Sequence, residues 1–257
     1  MAEGAQRREI DVPGKHGRLH CIVQGTGEPL VLLHGALGTG ATHFRGQIEE
    51  FASAYQVIVP DFLGYGKSQR RPVFDEDFYE RDAEDVVALI QHLGLPPVHL
   101  CGFSDGAIVA MKVTGRPGAD VRSLVLVGGS AVLDEQSMGW TRSLAPVERV
   151  PIGLQRALAR AHGDPYWRQL VASYVAASER LYARGKDIAL GSLANVDCPT
   201  LIVQGELDSS VGIGQAHMLH GSIQGSELEI FPGVGHELHR EQPEAFNRRV
   251  LRFLATV

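Results

Sequence analysis

Apolar residues along this chain fall in short runs that are nearly unbroken rather than alternating with polar ones. Leu30–Leu33, Val57–Val59, Val98–Cys101, Leu124–Val127 and Leu201–Val203 all have this form. A strand reads this way when both of its faces are buried, as in a parallel sheet covered by helices. Runs near Glu9–Val12 and Leu19–Gln24 predict an opening antiparallel hairpin, and Leu228–Phe231 predicts a last strand. Helices are predicted between them over Phe44–Ser53, Phe78–Leu93, Ala107–Thr114 and Glu244–Leu254. In the second of these, Val86, Leu89, Ile90 and Leu93 share one helical face, and Gly94 with Pro96-Pro97 ends the helix. The alternation predicts an α/β fold: a mostly parallel eight-stranded sheet with helices on both faces.

The rhythm breaks between Val132 and Ser192. Helical patches at Leu154–Ala161, Tyr166–Tyr182 and Asp187–Leu193 replace core strands there. A stretch of roughly 60 residues is too long for a plain loop in a compact domain. The expectation is a small helical cap over residues 132–193, inserted into a core built from 1–131 and 194–257. Its aromatics, Trp140, Tyr166, Trp167, Tyr174 and Tyr182, either line a pocket or form the cap's own packing core. Trp140 and Tyr174 are taken as substrate-binding candidates.

Composition narrows the class. A length of 257 residues suits one large domain, and 44% hydrophobic with 21% charged residues is ordinary for a globular protein. The net charge of −6, without a basic stripe, argues against nucleic acid as a partner. The pairs Arg70-Arg71 and Arg248-Arg249 read as solvated surface. The three cysteines, Cys21, Cys101 and Cys198, match neither a metal spacing nor a disulfide framework and read as buried thiols in a reducing compartment. The polar start, Met1 to Val12, is unlike a signal peptide, and no apolar run reaches the ~18 residues of a membrane span. The expectation is a cytoplasmic protein without a membrane partner, of no stated oligomeric order, acting on a small molecule.

The candidate chemistry sits at predicted strand ends. Gly102-Phe103-Ser104-Asp105-Gly106 fits the nucleophile-elbow pattern G-x-S-x-G. Alone the pattern is weak, but here it follows the strand Val98–Cys101 and opens the helix Ala107–Thr114. That turn lifts a serine hydroxyl above the sheet edge, while the helix N-terminus offers N–H groups to a developing oxyanion. His-Gly occurs at His16, His34, His162 and His220, so the dipeptide itself says nothing. Only His34 follows a core strand where a second oxyanion donor belongs. The backbone N–H groups of Ala36 and Asp105 are therefore the expected oxyanion hole, with His34 structural rather than a base. Asp208 follows the strand Leu201–Gln204, with Glu206 and Asp134 as competing acids. His236 lies on a glycine-flanked loop after the last strand. His236-Glu237-Leu238-His239 is not H-E-x-x-H, so neither a metal nor an organic cofactor is expected. The order Ser104, Asp208, His236 is the one that places nucleophile, acid and base in α/β-hydrolases.

With these motifs in hand, the sequence resembles the α/β-hydrolase superfamily over essentially its whole length. His34-Gly35, Asp61-Phe62-Leu63-Gly64-Tyr65-Gly66-Lys67-Ser68, the elbow, Gly205-Glu206-Leu207-Asp208 and Gly233-Val234-Gly235-His236 fall in the family's order. The Asp61–Ser68 loop reads as a structural glycine turn. Within the family, His34-Gly35-Ala36-Leu37-Gly38 together with the elbow is similar to the valacyclovir-hydrolase (biphenyl-hydrolase-like) branch, which cleaves esters of α-amino acids. The resemblance implies that the acid after the elbow serine, Asp105, binds the substrate's ammonium group. The competing reading is an acid solvated or hydrogen-bonded at the elbow. Ala107 stands where that branch often has a second glycine.

The implied chemistry is acyl transfer to water by Ser104, with His236 as base and Asp208 orienting it. A serine at the elbow argues against haloalkane dehalogenases and epoxide hydrolases, which place an aspartate there. Carbon–carbon bond hydrolases, thioesterases, lactonases and peracid-forming enzymes share the same triad. Slow-turnover receptors and non-hydrolytic lyases or cyclases share the fold, so fold alone does not choose among them.

Overall fold

In the computed structural model, which describes residues 6–257, the unbroken apolar runs follow from burial on two sides. In β3 (Pro29–Leu33), Val31 and Leu33 join one core while Leu30 and Leu32 join the other. In β5 (Val98–Phe103), Leu100 and Cys101 divide in the same way. Successive side chains of a strand point to opposite faces, so a strand covered on both sides needs apolar residues at every position.

The other strands are β1 (Arg8–Pro13), β2 (Arg18–Gln24), β4 (Gln56–Pro60), β6 (Val121–Val127), β7 (Thr200–Gly205) and β8 (Glu227–Phe231). They form one sheet in the order β1-β2-β4-β3-β5-β6-β7-β8. β2 is antiparallel to β1 and β4, and the remaining pairs are parallel. The carboxyl ends of β3 to β8 therefore share one edge, where open α/β sheets place their sites.

One face carries α3 (Phe78–His92), α4 (Asp105–Val113) and α8 (Ile213–Ser222), through Val86, Leu89, Ile108, Met111 and Leu219. The other carries α2 (Ile48–Phe51), α9 (Leu238–Glu241) and α10 (Pro243–Leu254), through Phe51, Leu238, Phe246 and Val250. The expected helix over Phe44–Ser53 is instead two short ones, α1 (Gly40–His43) and α2. Thr39 and Thr42 cap each other reciprocally and start α1 early. The buried Gln47 amide then donates to His239 O and Asn247 Oδ1 just ahead of α2.

Between β6 and β7 the chain forms α5 (Glu135–Ser143), α6 (Ile152–His162) and α7 (Tyr166–Arg184). An antiparallel bridge between Val132 and Asp187 closes the base of this insertion. Helices α5 and α8 had no strong sequence signal. Asp134 starts α5 through a capping box with Ser137. The expected helix over Asp187–Leu193 is reduced to a 3-10 turn at Leu190–Asn195. Among the described residues no helix is long and apolar enough to cross a membrane.

Candidate active site

Ser104 sits between β5 and α4 with φ 54° and ψ −119°, a strained conformation for a side-chain-bearing residue. The turn closes because its flanks are glycine. A Cβ on Gly102 would lie 2.2 Å from Gly106 O, and one on Gly106 would lie 2.0 Å from Leu33 O. The helix behind it starts at once, with Ala107 N donating to Ser104 O at 2.8 Å.

The folded chain brings Ser104, His236 and Asp208 together from three strand ends. Ser104 Oγ lies 3.0 Å from His236 Nε2, and His236 Nδ1 lies 2.7 Å from Asp208 Oδ2. With Nδ1–H donating to the carboxylate, Nε2 is left to accept the serine proton. The Asp208 carboxylate is itself held on both oxygens. Ser210 N and Val211 N donate to Oδ1 at 2.8 Å each, and Gln204 Nε2 donates to Oδ2 at 2.9 Å. The competing acids are engaged elsewhere. Glu206 accepts from Gly233 N at 2.9 Å on the surface. Asp134 accepts from Ser137 N at 2.8 Å and Gln215 Nε2 at 2.9 Å.

The loop after β3 is pinned by histidines. Phe62 N–H donates to His34 Nε2 at 2.9 Å, so Nδ1 carries the proton and donates to Gly35 O at 2.8 Å. Burial lowers the His34 pKa to about 4, consistent with a neutral structural ring. In a trans peptide the N–H points opposite to the C=O. Holding Gly35 O to one side therefore turns Ala36 N–H to the other. Gly35 N donates to His43 Nδ1 at 3.0 Å. The Asp61–Ser68 loop is a scaffold of the same kind, since Asp61 accepts from Gly40 N at 2.9 Å and Lys67 N at 3.1 Å.

Ala36, Ser104, Asp105 and His236 border a cavity of about 200 Å³, walled by Phe103, Ile108, Leu133 and Val211. Trp140 and Tyr174 from the insertion also line it. The other aromatics proposed for a pocket do not. Tyr166 donates to Gly64 O at 2.9 Å, Trp167 is core, and Tyr182 donates to Glu135 at the surface. Within one helix these aromatics face different ways, which spacing alone did not resolve.

Asp105 is hydrogen-bonded at Oδ1 by two phenols, Tyr79 at 3.0 Å and Tyr174 at 3.4 Å. Burial raises its pKa to about 7 against the opposing pull of those two donors. Tyr79 carried no sequence signal, because its role arises from α3 packing against α4. Beyond Tyr79 lies a larger hollow of about 640 Å³ bordered by Glu80, Lys112 and Arg184, which includes neither Ser104 nor His236.

Fold and site together define a serine hydrolase. The chain belongs to the alpha/beta hydrolase family, whose model matches residues 30–249. It is 32% identical to Serine hydrolase BPHL of Mus musculus over 252 residues, which is 96% of this chain and 85% of that one. The branch resemblance read from the elbow is thus met along the whole sequence. It is 30% identical to a 2-hydroxy-6-oxononadienedioate/2-hydroxy-6-oxononatrienedioate hydrolase of Escherichia coli (strain K12), covering 99% of this chain and 98% of the relative. In fold it is similar to a serine hydrolase involved in carbazole degradation, CarC, with a TM-score of 0.80 at 23% identity, over 98% of this chain and 100% of that one.

Proposed function

We propose that this hydrolase cleaves small carboxylic esters whose acyl group carries an ammonium, using Ser104 as nucleophile, His236 as base and Asp208 to orient the base. Ser104 gives its proton to His236 Nε2 and attacks the ester carbonyl. The oxyanion is held by Ala36 N–H and Asp105 N–H. His236 returns the proton to the leaving alkoxide, giving an acyl-enzyme, then takes a proton from water as the water attacks, and hands it to Ser104 Oγ as the acyl–serine bond breaks and the carboxylic acid leaves. Asp208 keeps the Nδ1 proton in place and offsets the imidazolium charge. Residues 132–193 act in this scheme as a cap that completes the cavity over the core segments 1–131 and 194–257.

The observation that carries the substrate class is Asp105 in the wall of the serine's own cavity, its carboxyl bonded to Tyr79 and Tyr174, which line the same cavity. An incoming ammonium draws that carboxyl to its charged form, and the ion pair forms where water is scarce. The cavity, at about 200 Å³, is below the ~300–1,000 Å³ of drug-sized sites, which favours a small acyl group. The same charge disfavours a dianionic dioate such as the E. coli relative's name describes, and this places carbon–carbon bond cleavage second.

The test pairs fluorophosphonate labelling with turnover of p-nitrophenyl and α-amino-acid esters, using Ser104→Ala as control. Fast labelling that the variant loses, with preference for the amino-acid esters, supports the proposal. Activity on neutral esters alone removes the ammonium assignment, and labelling that survives in Ser104→Ala removes the nucleophile.

A further inference from the structure

We infer that His162, the last residue of α6, is a positioning residue for the oxyanion loop: its Nε2–H holds the Leu37 carbonyl and thereby steadies the aim of Ala36 N–H. His162 Nε2 lies 2.9 Å from Leu37 O, reaching across 125 positions of sequence. Gly66 N–H donates to Nδ1 at 3.0 Å, so Nδ1 is the acceptor and Nε2 carries the proton. The ring is 1% exposed and lies edge-on to Tyr65 at 5.8 Å. Arg70 donates to the His162 carbonyl, which fixes the main chain as well. Both ring nitrogens are therefore committed, each to the backbone of a different core loop.

The loop needs such a hold. Leu37 has φ 58°, a left-handed conformation that is unfavourable for a side-chain-bearing residue. Such residues persist only where their surroundings over-determine them. His34 fixes the Gly35 carbonyl before Ala36, and His162 fixes the Leu37 carbonyl after it. Ala36 lies between these two anchors and borders the Ser104 cavity. With the second anchor gone, Leu37 is free to relax toward negative φ and turn the preceding peptides with it. The insertion that supplies Trp140 and Tyr174 to the cavity thus also supports the opposite wall, where the oxyanion forms. This inference rests on the oxyanion role proposed above for Ala36.

The test compares His162→Ala, His162→Gln and His162→Asn. A glutamine amide nitrogen matches the reach of Nε2 toward Leu37 O, whereas an asparagine amide matches the reach of Nδ1 toward Gly66. The readouts are the fluorophosphonate labelling rate of Ser104, and kcat and KM on p-nitrophenyl acetate. Alanine and asparagine are expected to lower labelling and kcat roughly tenfold with KM within about twofold, less than the ~10²–10³ lost when an oxyanion donor is deleted. Glutamine is expected to recover most of the loss. Tyr166→Phe cuts a different tie from the insertion, the one to Gly64 O, and is expected to keep parental kcat. Parental kcat in folded His162→Ala, or a glutamine variant no better than asparagine, overturns the inference. Should alanine fail to fold, the glutamine–asparagine comparison decides. Labelling that persists in Ser104→Ala would instead overturn the nucleophile assignment.

Discussion

Tyr79 donates its hydroxyl to Asp105 Oδ1 across 3.0 Å, tying the first turn of α3 to the residue that follows Ser104. Tyr174 adds a second donor to the same oxygen from the insertion. Two neutral donors on one oxygen orient the carboxyl without neutralising it, so its charge stays available to a ligand. Asp105→Asn keeps the shape and removes the charge. KM for an α-amino-acid ester is expected to rise roughly 30-fold, about 2 kcal/mol, at the lower end for a desolvated charge pair that loses one partner. Neutral p-nitrophenyl esters are expected to change by less than threefold, and steady-state kinetics on both substrates check the split.

Removing one phenol acts on the same carboxyl by another route. The Tyr79 hydroxyl favours the charged form of Asp105, so Tyr79→Phe moves the carboxyl's pKa further up. At pH 7 more of the enzyme then holds a protonated Asp105. KM for the ammonium ester is expected to rise several-fold at pH 7 and to return toward the parental value by pH 8.5. Equal KM ratios at the two pH values would mean that the phenol acts by packing alone.

The pH dependence of the parent enzyme has a definite sign. Asp105 carries its charge above a pKa of about 7, while an α-ammonium is held below about 7.7–8.0. Affinity for the ammonium ester relative to a neutral isostere is expected to climb as pH rises through 7 and to fall again above 8. In Asp105→Asn the lower limb disappears and the substrate's own limb remains. A flat ratio in the parent from pH 5.5 to 8 counts against the ion pair.

Stability follows the same titration. Asp105 has its pKa raised on folding from 3.8 to about 7, so the folded state binds the proton more tightly. The contribution is fully present below pH 3.8 and is lost as pH rises through about 7. Asp105→Asn mimics the protonated form at every pH. Its Tm is expected to approach the parent's only near pH 3.5 and to exceed it by a growing margin as pH rises to 8, as read by calorimetry. A lower Tm for the variant at pH 8 would show that ligand-free Asp105 is already well solvated or paired as a carboxylate.

The parts of the site that a sequence displays are those made by short segments at strand ends. Ser104, Asp208 and His236 each stand beside glycines next to an apolar run, and the sheet edge brings the three together. Asp105 was legible through its adjacency to the nucleophile. Tyr79 and His162 were not, because each acts by contact between elements far apart in the chain, and Gln204, only four residues before Asp208, gains its role from the way the loop after β7 folds back. Among the insertion's aromatics, Trp140 and Tyr174 face the cavity while Trp167 faces the core, a choice fixed by helix rotation rather than by composition. The first crossover is two short helices rather than one for a local reason: the Thr39–Thr42 box starts a turn ahead of Phe44, and α2 begins separately at Ile48.

The choice of Asp208 over its neighbour Glu206 is open to a direct comparison. Both follow β7, and both carboxylates accept backbone hydrogen bonds, but only Asp208 meets His236 Nδ1, at 2.7 Å. Asn at 208 presents an amide that can face Nδ1 with its NH₂. That arrangement forces the proton onto Nε2, where the base must be free to accept from Ser104. A fall in kcat of about 10⁴ is expected, the size associated with a wrongly protonated base, with KM little changed. Glu206→Gln leaves His236 untouched and keeps an acceptor for Gly233 N, so kcat is expected within twofold of the parent. If instead Glu206→Gln carried the large loss and Asp208→Asn did not, Glu206 would be the acid that orients His236. The four hydrogen bonds on the Asp208 carboxylate argue against that exchange. A group held on both oxygens by Ser210 N, Val211 N, Gln204 Nε2 and His236 Nδ1 has no freedom to leave the base, and Glu206 has no route to replace it without unpairing Gly233 N.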